Sequence, residues 1–120
     1  MSYPQAQAEP QPASAPEDLR AALAQLTPDA LPTFEAERAA ALRQSREQVS
    51  AAPMRRFVGQ WAVYVAVERH PERAARLRAL EPRAATTESL DEARAIAAEI
   101  GGILDVACAE AGIERGEVPA

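Results

Sequence analysis

Half of the apolar residues in this chain are alanine. Of 57 apolar residues among 120, 29 are Ala, whereas Leu, Ile, Val and Phe together number 22. Burial stabilises by about 25 cal/mol per Å² of apolar surface, so few large side chains can support only a thin core. A disordered chain would pair that poverty with strong charge and no periodicity. Here the alanine-rich stretches repeat at helical spacing. The prediction is an all-α fold, a small bundle of four to five helices forming one domain.

Proline punctuates the chain. Residues 1–15 are rich in Pro, Ala and Gln and are expected to form a disordered tail ahead of a helical domain at 16–112, with a loose C-terminal tail at 113–120. Pro16, followed by Glu17 and Asp18, suits the start of a first helix whose stripe is Leu19, Leu23 and Leu26. Leu31-Pro32 starts a second helix, predicted from about Thr33 to Val49, with Phe34, Arg38, Ala41, Leu42, Ser45 and Val49 on one face. Pro53 opens a third, running to Arg69. Met54, Phe57, Val58, Trp61, Tyr64 and Val65 make its broad face, and Gly59, Val63 and Val67 lie opposite. A helix apolar on two sides is either central in a bundle or half-covered by another chain. A short fourth helix begins at Pro71 and is expected to close at Pro82, with a connector from Arg83 to Glu88. Ser89-Leu90-Asp91-Glu92 has the form of a capping box. The helix after it places Ala93, Ala97, Ile100, Leu104, Ala107 and Ala111 on a seam of mostly small residues, with Gly101 and Gly102 marking a bend, a close crossing or a break, and Gly112 as C-cap.

The formal charge is −5, and all 13 basic residues are arginine. Residues 51–83 carry +4 and residues 84–120 carry −6. Such asymmetry reflects intramolecular packing, a charged partner or a charged ligand. Arg69, Arg73 and Arg76 sit at helical spacing and are candidate phosphate contacts within the basic segment from Arg69 to Arg83. Without lysine and at a pI near 4.9, nucleic-acid binding is disfavoured relative to a solvated face of local Glu–Arg pairs.

Several chemistries are excluded by composition. Zero lysines rule out a Walker-type phosphate loop and Schiff-base catalysis. The single Cys108 rules out an internal disulfide and any multi-cysteine metal site, and its carboxylate neighbours disfavour a thiolate nucleophile. His70, the one histidine, precedes a proline at a helix boundary with no triad partner beside it. No run approaches the roughly 20 apolar residues of a membrane span, and residues 1–15 lack a secretory pattern. The expectation is a cytoplasmic, non-enzymatic protein with no cofactor and no metal.

The text Leu31-Pro32, Phe34-Glu35-Ala36-Glu37-Arg38, Ala41-Leu42, Ala52-Pro53 and Trp61 resembles an uncharacterised family of small helical proteins from high-GC bacteria. Some members of that family are encoded beside RelE/ParE-like toxins, which implies an antitoxin-like partner role. The thin core and the doubly apolar third helix add a second expectation, a protein partner or a homodimer. Its interface is predicted at Gly59, Val63, Val67, Ala97 and Leu104, so that Val63→Asp would dissociate or unfold the protein. The alternatives are a nucleic-acid-associated regulator using the basic segment and a ligand-binding bundle around Trp61.

Overall fold

The computed structural model describes residues 15–113. They form five α-helices: α1 (Pro16–Leu26), α2 (Leu31–Gln48), α3 (Ala52–Glu68), α4 (Pro71–Thr86) and α5 (Leu90–Glu110), with a 3-10 turn at Pro28–Ala30. No strand occurs among the described residues. The expected tail at 1–15 lies outside them apart from Ala15, and so does 114–120.

Helix starts follow the prolines. α1 to α4 each carry Pro at one of their first two positions and have no side-chain cap, whereas at α5 the Ser89 side chain accepts the Glu92 backbone N–H. Proline fits there because its missing N–H is one the helix start leaves unpaired anyway. α5 ends in a Schellman turn: Gly112 takes φ 76° and the Ile113 N–H donates to Cys108 O at 2.8 Å.

α3 is the axis of the bundle, and each of the other four helices packs against it. Leu19, Leu23, Phe34, Ala41, Phe57, Trp61, Ala62 and Val65 form one buried cluster. Ala66, Val67, Ala74 and Ala107 form a second on the opposite side. Both apolar sides of α3 are thus largely covered within the chain, although Val63 and Tyr64 stay half-buried, and Val67, assigned to an interface from sequence, is 5% exposed. Small residues on α4 and α5 allow this: Ala74 and Ala107 bring their backbones close to α3, doing with proximity what bulk does in the first cluster.

The structure corrects or narrows five expectations. α2 begins at Leu31 because the 3-10 turn runs straight into it. Val49 does not share the α2 face; it takes a left-handed φ of 49° as the helix terminator and is 90% exposed. α4 passes through Pro82 and ends at Thr86. Pro82 is solvent-exposed, on the side of α4 away from the core, and the connector shrinks to 87–89. α5 is continuous across Gly101 and Gly102. Of the predicted seam Ala107 is buried and Ala93, Ile100, Leu104 and Ala111 are half-buried, but Ala97 is exposed and Ile96 and Cys108 are buried in addition, Ile96 offering more apolar surface than an alanine.

Ile113, predicted in the loose tail, packs against the first cluster. It shares a shallow depression with Pro16, Met54 and Val58, so the two ends of the described chain meet at one corner.

Candidate functional site

On the other side of α3, a groove of about 320 Å³ opens between α3 and α4. Trp61, Tyr64, Val63 and Val67 come to it from α3, Ala74 and Leu77 from α4, and Leu104 from α5. The α4 contribution is a stripe at helical spacing, completed toward solvent by Arg78 and Glu81. Three of the five sequence-predicted interface residues, Val63, Val67 and Leu104, line this groove. Gly59 lies apart, facing Ile113, and Ala97 is on the outer surface of α5.

The aromatic wall is held from behind. Phe34 stacks edge-on to Trp61 with centroids 5.3 Å apart, and Trp61 meets Tyr64 in the same way at 5.2 Å. The Trp61 indole N–H donates to Glu37 Oε1 at 2.8 Å, and the Tyr64 hydroxyl donates to Thr27 Oγ1 at 3.5 Å. Both polar atoms are directed into the α1–α2 side, leaving carbon surface toward the groove.

Glu68 is the one buried charged residue among those described, its side chain 7% exposed. Its Oε2 accepts from Arg78 Nη1 at 2.8 Å, joining α3 to α4 across the His70-Pro71 turn. A buried carboxylate is tolerable only with such a partner. With Glu81 on the α4 side, the mouth of the groove holds two carboxylates against one guanidinium.

The basic segment goes elsewhere. Arg73 forms a two-point pair with Glu110 at 2.8 and 3.1 Å, Arg76 Nη2 donates to Glu99 Oε1 at 2.8 Å, and Arg83 lies 3.8 Å from Glu92. Rising numbers on α4 meet falling numbers on α5, so the pairs form an antiparallel ladder. His70 Nε2 adds a contact to Glu110 Oε1 at 3.4 Å. The hydrogen bond from Arg73 holds the Glu110 carboxyl below the ordinary glutamate value, and the one from Arg76 does the same for Glu99. Of the candidate phosphate contacts, Arg73 and Arg76 are thus engaged by α5 carboxylates, and exposed Arg69 is not brought into the ladder. The pairs join two helices rather than neighbours on one helix, correcting the expectation of local pairing.

No group of three or more potential metal ligands occurs among the described residues, and Cys108 is buried. No described helix is long and apolar enough to cross a membrane. The family model of a family of unknown function, DUF6247, matches residues 7–101. The chain belongs to this family. No curated protein and no solved structure matches it. In the terms of this DUF6247 member, the match takes in α1 to α4 and the first half of α5, hence every groove residue except Leu104.

Sequence reasoning missed Glu68, Leu77, Arg78 and Glu81 as parts of one site. The signal was available in outline: Ala74, Leu77, Arg78 and Glu81 stand at helical spacing, and Glu68 and Arg78 flank a proline turn that folds α4 back on α3.

Proposed function

We propose that this protein is a non-enzymatic protein–protein interaction module that seats an amphipathic helix of its partner in the α3–α4 groove. The observation that carries this reading is an apolar groove, open to solvent, with the Glu68–Arg78 pair at its edge and exposed Glu81 at its mouth. Helix-in-groove recognition needs an apolar surface for residues at helical spacing and flanking charges that set orientation. The carboxylate excess favours a basic partner helix and speeds encounter with it. The family resemblance names one class of basic partner, a RelE/ParE-like toxin, for which this chain would be the antitoxin-like component. A second copy of the chain is the competing occupant.

Trp61 is the only tryptophan and lines the groove, so its emission reads occupancy directly. Two model helical peptides with the same leucine pattern, one carrying lysine and the other glutamate, serve as probes. The lysine peptide is expected to shift Trp61 emission with a Kd in the micromolar range, and exposed Glu81→Arg to weaken it by ~10-fold, about 1.4 kcal/mol. Equal response to both peptides, or no response up to about 1 mM, overturns the reading. Loss of the monomer mass in light scattering, with the peptide site blocked, assigns the groove to a second copy instead.

A further inference from the structure

We infer that the corner where α2 turns into α3 is a second docking surface, suited to an acidic protein segment that carries an apolar side chain among its carboxylates. Arg43 and Arg46 stand one turn apart near the end of α2, and Arg55 and Arg56 lie in the opening turns of α3. All four are exposed and lie within about 8 Å, along one helix axis or the other, of the turn between the helices. Arg56 borders the cleft between α2 and α3 beside Gln44, whereas Arg55 edges the depression that holds Met54 and Ile113. The guanidiniums thus flank the turn on both helices.

Charge pairing sets these four apart. Arg20, Arg38, Arg73, Arg76, Arg78 and Arg83 each meet a carboxylate within the chain. None of the arginines at the corner forms an ion pair among the described residues. Glu47 is the only carboxylate between residues 38 and 67, so a chain of net charge −5 presents one locally positive end. Val49, in the turn itself, is the second observation. It holds a left-handed φ of 49° and is 90% exposed. Strain that the fold does not repay points to use outside the chain. The corner therefore offers an apolar knob between unpaired guanidiniums. Those forks grip carboxylates at two points, and the valine needs an apolar contact of its own. A phosphate backbone would engage the arginines and leave the valine idle. A bilayer interface is held by aromatic side chains, and residues 43–56 contain none. None of these five residues lines the α3–α4 groove, so the two surfaces are separate.

Val49→Gly separates docking from folding, because the change that relieves the backbone also removes the knob. The probe is a fluorescein-labelled peptide with one Leu flanked on each side by Glu, followed by anisotropy on mixing with the full-length chain. Its affinity is expected to fall by ~5-fold in Val49→Gly although Tm rises, and by ~10-fold in Arg46→Gln with Arg55→Gln. Raising the salt concentration is expected to weaken it further. Unchanged affinity in either variant overturns the surface. So does equal binding of a peptide with Lys in place of Glu. Tighter binding of a mixed-sequence DNA duplex, insensitive to Val49→Gly, also overturns it and assigns the corner to phosphate contacts. Glu81→Arg at the groove is expected to leave the acidic peptide's affinity within about twofold. A larger change would seat that peptide in the groove and overturn the corner. Neither Trp61 emission nor the lysine peptide enters these readings, so the corner and the groove stand or fall separately.

Discussion

Val49 sits where a glycine would be expected. Its φ of 49° ends α2, with its N–H donating to Arg46 O at 3.3 Å and the Ser50 N–H donating to Ser45 O at 3.0 Å. A β-branched side chain in this region is strained, and 90% exposure returns no packing for it. Val49→Gly is expected to stabilise by about 1 kcal/mol and raise Tm by ~4–8 °C in thermal unfolding followed by circular dichroism. The helix stop itself was legible within a residue or two from Pro53 and the fading stripe. That Val49 would be the terminator was not, since valine reads as an apolar member of the face it follows. Gly112 shows the opposite case: a glycine after an apolar helix announces its left-handed turn, and the structure has it.

Among elements, the α4–α5 pair depends most visibly on charge. Both carboxyls with resolved shifts, Glu99 and Glu110, are lowered from the ordinary value of 4.5, chiefly by hydrogen bonds from Arg76 and Arg73. A lowered native value means their contribution is complete above the unfolded value and is lost as pH falls through the native one. Tm is therefore expected to fall as the pH drops below about 4.5, less steeply in a Glu99→Gln, Glu110→Gln double variant. High salt should shrink the difference, because both sites face solvent. The opposed charges of residues 51–83 and 84–120 were visible in sequence, and intramolecular packing was among their readings. Which arginine meets which carboxylate was not, because it depends on how α5 lies on α4. Pro82 hid this further, as a helix stopping there would not have carried Arg83 to Glu92.

At the scale of the molecule, the thin core is divided by α3 into two clusters of different construction, one aromatic and leucine-rich, the other made largely of alanine. The central place of α3 was one of two readings of its composition, and the decision between them needed α4 and α5, whose small residues give no sequence signal of where they pack. The groove was legible only in part: the Trp61 cluster and Val63 stood out, while the α4 wall did not. Because α3 belongs to both clusters, damage on one side should propagate to the other. Leu80, fully buried on α4 outside both clusters, tests how far such coupling reaches. Leu80→Ala is expected to cost ~2–5 kcal/mol and to lower the fluorescence and circular-dichroism transitions together in urea. Separated transitions would mean the two halves of the bundle unfold independently.

Pro16 and Ile113 edge the same depression beside Met54. Such proximity makes residues 16–113 a candidate for circular permutation: a short linker can join Pro16 to Ile113, and new ends can be cut at exposed Glu88 and Ser89 in the 87–89 connector. A label joined at Pro16 or Ile113 would depart from one vertex, on the flank of α3 away from the groove, and leave that groove clear.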